Sequence, residues 1–276
     1  MEKYNLDKCL IKKADGATLY SSRDLAAAID RYKRYKFDKM IYEVGQEQTL
    51  HFKQIFKILD LLGYKFSKDC VHVSHGLYLG EDGKKFATRK GKTIFLEEVL
   101  DETISLAKKE ILKREKVNEK ELEKRARTIA IAAILYGDLK SYRNSDLVFD
   151  IEKFLSFEGD TGPYLLYTYA RAKSILEKAN YKKKKYEIKD LSDNEKLLIK
   201  ELSNFSKIVE KAYEDLAPNI IANYSYHISK IFNEFYHSSK VIGAENEQFR
   251  LVLVDCFSQV LKNALVLLGI QVIEKM

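Results

Sequence analysis

Up to Val73 the apolar positions change their period from one short segment to the next, whereas from Leu96 onward they recur at helical intervals of three and four. In the first stretch the pattern predicts a helix over Arg23 to Tyr35 and a short buried strand over Met40 to Val44 (MIYEV). A helix over Gln48 to Leu62, ended by Gly63, and a second strand over Cys70 to Val73 follow. Two strands joined by a helical crossover make a β-α-β unit, and such connections are nearly always right-handed. The turn after Val44 then lies at the carboxyl end of the sheet, where open α/β folds bind ligands. Leu77 to Phe86 (LYLGEDGKKF) reads as a hairpin around a glycine-containing turn.

The second stretch reads as helix after helix. Leu96, Val99, Leu100, Ile104, Ala107 and Ile111 fall on one face of the first, opposite Lys108, Lys109, Lys113 and Arg114. Leu122, Ala126, Ile129, Ala130 and Ala133 repeat the pattern in the next. Tyr164 to Lys178 makes a third, with Pro163 tolerated at its start because the proline's missing N–H would be unpaired there anyway. Three more are expected over Asn194 to Tyr213, Asn219 to Tyr236 and Glu245 to Leu268. The last is apolar on almost every side and belongs in the middle of a bundle.

A chain of 276 residues can bury a real core without disulfides or structural metal. It has no apolar run of the roughly 18 residues that a membrane-spanning helix needs. Its first ten residues (MEKYNLDKCL) lack the organisation of a secretion signal, and no membrane partner is expected. Cys9, Cys70 and Cys256 are far apart and form no CxxC pair, which argues against a zinc ribbon and for a reducing compartment, so a cytoplasmic protein is expected. Lys plus Arg outnumber Asp plus Glu by 48 to 41, a net +7 that permits a polyanionic partner without requiring one.

Four groups of residues carry candidate chemistry. Tyr20 and Asp24 lie four apart on one helical face; Asp24 either caps the helix or receives a guanidinium through paired hydrogen bonds beside a tyrosine ring. Gly45, Gln46, Glu47 and Gln48 follow the first strand, with His51 one turn into the next helix; this is an ordinary surface turn or a seat for phosphate or carboxylate groups. His51, His72 and His75 have no acidic or cysteine partner at ligand spacing, so no metal site is assigned. Phe86 to Lys92 (FATRKGK) places Arg89, Lys90 and Lys92 in a glycine-containing loop, either solvated or against a polyphosphate, and it is no P-loop. Tyr164, Tyr167 and Arg171 share a helical face, with Tyr224, Tyr226, Phe235 and Tyr236 further on. Such rings pack a bundle or, exposed beside cations, stack unpaired RNA bases.

Taken together, TLYSSRDLAAAIDRY, FDKMIYEVGQEQTLHFKQIFKIL, CVHVSHGLYLGEDGKKFATRKGKTIFLEEVLDE, FEGDTGPYLLYTYAR and QVLKNALVLLGIQVIEKM resemble, in order, stretches of the class I arginyl-tRNA synthetases. The resemblance implies an α/β segment followed by an all-α one: a partial, Rossmann-like nucleotide-binding half-domain over 1–115, then a helical-bundle anticodon-binding domain over 116–276. It implies an arginine-tRNA ligase, with arginine, ATP with Mg²⁺ and an arginine tRNA as partners and a monomer as the expected state. Tyr20, Asp24 and Gln48 fall on the family's arginine site. FATRKG is similar to the family's form of the Lys-Met-Ser-Lys-Ser loop, with Phe86 and Ala87 in place of Met and Ser. Gly45, His51, His72, Val73, Thr88, Arg89, Lys90 and Lys92 are thereby implied at the ATP, and Tyr164, Tyr167, Arg171, Tyr236 and Met276 at the anticodon loop.

One departure matters. The family carries a His-Ile-Gly-His-type segment after the first strand of its nucleotide fold, and none occurs here; His72 to His75 (HVSH) lacks the glycine and lies late in the fold. The sequence therefore resembles the C-terminal part of such an enzyme, cut within the catalytic domain and expected to be inactive alone. The alternative is a stand-alone tRNA-binding module without catalysis.

Overall fold

The structure, a computed structural model, describes every residue except 81, 82, 84–94, 187 and 189. It divides into two compact units: Met1–Leu77 with Arg143–Asp146, and Tyr78–Tyr142 with Leu147–Met276.

The first unit is the expected β-α-β arrangement preceded by a helix. Helix α1 (Tyr20–Tyr35) buries Leu25 and Ala28 and stops at Lys36, which takes the left-handed conformation. Strand β1 (Met40–Gly45), helix α2 (Thr49–Leu61) and strand β2 (Cys70–His75) follow, and the strands pair in parallel with Met40 opposite Cys70 and Gly45 opposite His75. Alternation of side chains puts Met40, Tyr42, Cys70 and His72 on one face. That face packs on α2, with Tyr42 4.8 Å from the Phe52 ring and 5.7 Å from Phe56. Gly63 ends the α2 turn at φ +83°, a conformation that would strain any side chain. Burial pushes the Cys70 thiol up to about 11, with the Asp69 charge adding to the effect, so Cys70 packs as a small apolar group. The segment Arg143–Asp146 lies against the end of β2, where Gly76 donates to the Arg143 carbonyl at 2.7 Å. A side chain at Gly76 would meet the Ser145 carbonyl oxygen at 2.4 Å.

The second unit is a helical bundle. Tyr78–Leu79 (β3) pairs in parallel with Leu147–Val148 (β4), so the arm expected to open a hairpin finds its partner far along the chain; the expected return arm falls largely outside the described residues. Helix α3 (Leu96–Arg114) packs on α4 (Glu119–Leu139) through Ile104, Ala107 and Ile111, as the spacing predicts. Leu96, expected on that face, is 75% exposed in the first turn. All five apolar positions expected in α4 are buried, and Asn118 caps the helix by accepting from the Glu121 N–H at 3.0 Å.

After the short helix α5 (Ile151–Phe154), α6 (Gly162–Lys178) starts with Thr161 as its cap, its hydroxyl accepting from the Tyr164 N–H at 3.2 Å. Pro163 therefore stands second in the helix, where its missing N–H is equally harmless. The helix expected over Asn194 to Tyr213 is broken into α7 (Asp193–Ser203) and α8 (Phe205–Glu214). The break has a visible cause: the Glu201 carbonyl accepts from the Tyr224 hydroxyl at 2.9 Å and from the Asn204 N–H at 3.2 Å, bonds that compete with the next helical N–H. Helix α9 (Asn219–Ser238) and helix α10 (Glu247–Leu267) complete the bundle. Helix α10 packs against α6, α7 and α9, with Phe257 stacked 3.9 Å from Phe232. Only its last turn leaves large apolar groups, Val266 and Leu267, about half exposed.

Candidate functional sites

In the first unit the Asp24 carboxylate sits at the start of α1 facing α2, and its Oδ2 lies 2.7 Å from His51 Nε2. A carboxylate can only accept, so that ring nitrogen carries the hydrogen. Asp24 is 39% exposed and His51 22%, so the pair is accessible rather than entombed. This contact joins a residue implied at the arginine to one implied at the ATP. Tyr20, the first residue of α1, is 82% exposed, and Gln48 ends the single 3₁₀ turn between β1 and α2 and is also exposed. Neither is bonded to Asp24 among the described residues.

The other implied ATP residues are spread along the strand ends. Gly45 ends β1 opposite His75. His72 donates from Nε2 to the Val44 carbonyl at 2.9 Å and stacks on Phe52 at 4.7 Å, so its ring is fixed across the strand pair. Val73 pairs with Glu43. His75 donates from Nδ1 to the Gly76 carbonyl at 2.8 Å, so the three histidines are each engaged with different partners. The FATRKG loop, with Thr88, Arg89, Lys90 and Lys92, lies outside the described residues.

In the second unit four of the residues implied at the anticodon form one surface. Tyr164, Tyr167 and Arg171 project from α6 and Tyr236 from α9. The Arg171 guanidinium carbon lies 4.9 Å from the Tyr167 ring centre and 5.6 Å from that of Tyr236, within cation–π reach of both. Arg171 Nη1 also donates to Asn233 Oδ1 at 2.7 Å, and Asn233 Nδ2 donates to the Tyr164 hydroxyl at 2.8 Å. Tyr164 meets Tyr226 edge to face at 5.6 Å. Two adjoining cavities open beside Arg171. One, of about 660 Å³, is lined by Tyr167, Tyr236, Lys178, Lys240, Lys275 and Met276 among others. The second, of about 480 Å³, is lined by Tyr164, Asn233 and Phe157. Met276 is half-buried against the bundle core and lines the larger cavity.

The aromatic residues named from the sequence divide between two roles. Tyr224 and Phe235 are buried, and burial pushes the Tyr224 hydroxyl well above the ordinary phenol range, helped by the nearby Glu201 charge. Both are packing groups. Tyr236 remains 37% exposed. Asn233, Lys178, Lys240 and Lys275 escaped the sequence reading. Asn233 stands one turn before Tyr236 and His237, a spacing that could have flagged it.

Comparison with known proteins shows the family. The family description "tRNA synthetases class I (R), catalytic domain" matches residues 4–151, and "DALR anticodon binding domain" matches 165–276. The chain belongs to the class I arginyl-tRNA synthetase family, with part of a class I catalytic domain followed by a helical anticodon-binding domain. It is 44% identical over 280 residues to the arginine–tRNA ligase of Clostridium acetobutylicum, covering all of this chain and 49% of that protein. It is likewise 44% identical over 282 residues to that of Clostridium perfringens, covering 50% of it. The chain thus spans about half the length of the curated relatives it matches. Among solved structures it is similar to the Thermus thermophilus arginyl-tRNA synthetase, with a TM-score of 0.85 and 25% identity over 97% of this chain and 51% of that one. It is similar also to the arginyl-tRNA synthetase of Plasmodium falciparum, with a TM-score of 0.85 and 28% identity over 96% of this chain and 46% of that one.

Proposed function

We propose that these residues form the arginine-binding and anticodon-binding part of an arginine–tRNA ligase. In the complete reaction, the carboxylate of arginine attacks the α-phosphate of ATP and displaces pyrophosphate, whose charge Mg²⁺ would neutralise; a terminal ribose hydroxyl of the tRNA then attacks the arginyl carbonyl and AMP leaves. Asp24 receives the guanidinium, with Tyr20 and Gln48 orienting the amino acid. The accessible Asp24 carboxylate supports this role most directly: its Oδ2 can accept from His51 and from a guanidinium N–H together, because each carboxylate oxygen has two lone-pair sites. Gly45, His51, His72 and Val73 line the nucleotide, and Thr88, Arg89, Lys90 and Lys92 steady its phosphates. Tyr164, Tyr167, Arg171, Tyr236 and Met276 hold the anticodon loop. On this reading residues 1–115 serve catalysis and 116–276 the RNA, in a cytoplasmic monomer.

A second reading, tRNA binding without catalysis by these 276 residues alone, is favoured by the lack of a His-Ile-Gly-His-type segment among them. Arginine-dependent pyrophosphate exchange separates the two, and we expect none from the 276-residue chain while it still binds tRNA. In an enzyme containing the whole catalytic domain, Asp24→Asn removes a charge-assisted pair of about 1.5–3 kcal/mol and should lower kcat/KM for arginine by roughly 10- to 100-fold, with ATP use little changed. An unaltered arginine KM and kcat would place the guanidinium elsewhere.

A further inference from the structure

We infer that Asn233 is a positioning residue for RNA recognition: it holds the Arg171 guanidinium in the attitude that meets an unpaired base or its phosphate. The inference rests on the anticodon-binding reading above and adds a residue to that site.

The hydrogen-bond network leaves Asn233 one orientation. Arginine can only donate, so the amide oxygen must face Arg171, at 2.7 Å. The amide nitrogen must then face α6, where it lies 2.8 Å from the Tyr164 hydroxyl and 3.4 Å from the Thr168 hydroxyl. The Thr168 hydroxyl is itself committed to the Tyr164 carbonyl at 2.9 Å, so it accepts from Asn233. Asn233 is thereby braced on one side by two residues of α6 and on the other presents a fixed acceptor to Arg171.

What Arg171 lacks is as informative. Among the described residues no carboxylate pairs with it; a neutral amide and the rings of Tyr167 and Tyr236 hold it instead. The contrast lies nearby: Lys275, on the same cavity, has Glu177 at 3.2 Å, and Arg250 has Glu195 at 2.7 Å. A carboxylate at position 233 could hold the guanidinium as firmly but would spend its charge. The amide fixes direction and leaves the charge and the remaining N–H groups for a polyanion or for an acceptor edge of a base. Arg171 also stands where the two cavities adjoin, so its attitude bears on both.

The test is a double-mutant cycle on the 276-residue chain, titrated with an arginine-tRNA anticodon stem-loop and with a copy of altered anticodon. Asn233→Ala should weaken binding of the first RNA by about tenfold, as for loss of one charge-assisted hydrogen bond. It should narrow the difference between the two RNAs. In an Arg171→Ala background the same change should cost less than about twofold, because the residue it acts through is gone. Asn233→Asp should also weaken binding, by neutralising Arg171, yet keep the guanidinium ordered in side-chain NMR, where Asn233→Ala releases it. Equal losses from Asn233→Ala in both backgrounds, or an Arg171 guanidinium as ordered in Asn233→Ala as in the parent, would overturn the inference. A parent chain that binds neither RNA would sink the anticodon-binding reading and the inference with it; binding with an additive cycle sinks the inference alone.

Discussion

Glu195 offers the sharpest test of how the bundle is held. Its side chain is completely buried, and its Oε1 accepts from Arg250 Nε at 2.7 Å while its Oε2 accepts from the Ser192 N–H at 2.7 Å. Ser192 returns the bond, its hydroxyl accepting from the Glu195 N–H at 3.3 Å, which closes a capping box at the start of α7. Arg250, on α10, also donates to the Lys240 carbonyl at 2.7 Å, so one ion pair ties α7, α10 and the chain leaving α9. Removing one partner of a buried pair typically costs about 3–5 kcal/mol, because the other charge is left without its counter-ion. Arg250 keeps the Lys240 carbonyl and is 17% exposed, which places Glu195→Ala toward the lower end, about 3 kcal/mol. For a unit of this size that is a fall of roughly 6–12 °C in Tm. Glu195→Gln keeps one of the two side-chain acceptors and the Ser192 hydroxyl on its own N–H, but sets an amide NH₂ against the other donor; it should cost less than alanine, about 1–2 kcal/mol. Burial opposes the charge of Glu195, but the Arg250 and Ser192 bonds outweigh it and hold the carboxyl below its ordinary value. The pair's contribution is therefore whole above that ordinary value and fades as pH falls through the lower folded one. Urea titrations of the helical unit from neutral to acidic pH should show the gap between parent and Glu195→Gln closing on the acid side. Equal costs for Ala and Gln, or a gap that does not move with pH, would refute the account.

Three further outcomes follow from contacts already described or adjoining them. A methyl at Gly162 would stand 2.2 Å from the Ala132 carbonyl oxygen of α4, so Gly162→Ala should force α6 away and destabilise the bundle by about 1–3 kcal/mol in urea titration. Tyr136 is buried with its hydroxyl 2.7 Å from Asp160 Oδ1 and 3.1 Å from the Ala222 carbonyl; Tyr136→Phe should cost about 1–3 kcal/mol, read as a lower Tm. Tyr236→Ala should leave Tm nearly unchanged and weaken an arginine-tRNA stem-loop by about 1–3 kcal/mol, whereas Tyr224→Ala should lower Tm and affect all RNAs alike; the reverse pattern would show the rings exchanged in role.

The parts of the fold legible in sequence are those set by local periodicity. The β-α-β unit was readable because MIYEV is a short apolar run, α2 has a clean amphipathic face, and Gly63 stops it at a positive φ. The break between α7 and α8 was not, since it depends on a hydroxyl that α9 brings to the Glu201 carbonyl. Nor was the pairing of β3 with β4: two-residue strands carry almost no periodic signal, and their partner is distant in sequence. Leu96 shows the converse error, an apolar residue in the right register that the bundle does not cover.

The candidate sites show the same division more sharply. Residue type made Tyr20, Asp24 and Arg171 visible as ring, carboxylate and cation chemistry, but not which partners would hold them. Asp24 is bonded by His51, twenty-seven positions away, and Arg171 by Asn233, sixty-two away. Helix α9 makes the difficulty concrete. It carries aromatic residues at 224, 226, 232, 235 and 236, so no single stripe distinguishes packing rings from exposed ones. Phe235 is fully buried, yet Tyr236 one step on is 37% exposed, because a rotation of about 100° per residue carries its ring out of the core to where Arg171 of α6 meets it. Asn233 lies beyond Phe232 on the side toward α6, where Tyr164 and Thr168 meet it. An asparagine amid apolar and aromatic neighbours reads in sequence as an interruption of the core stripe. In the folded bundle it is the one polar group of α9 that bridges Tyr164 to Arg171, and for that reason a bland substitution there should be felt at the RNA surface before it is felt in the core.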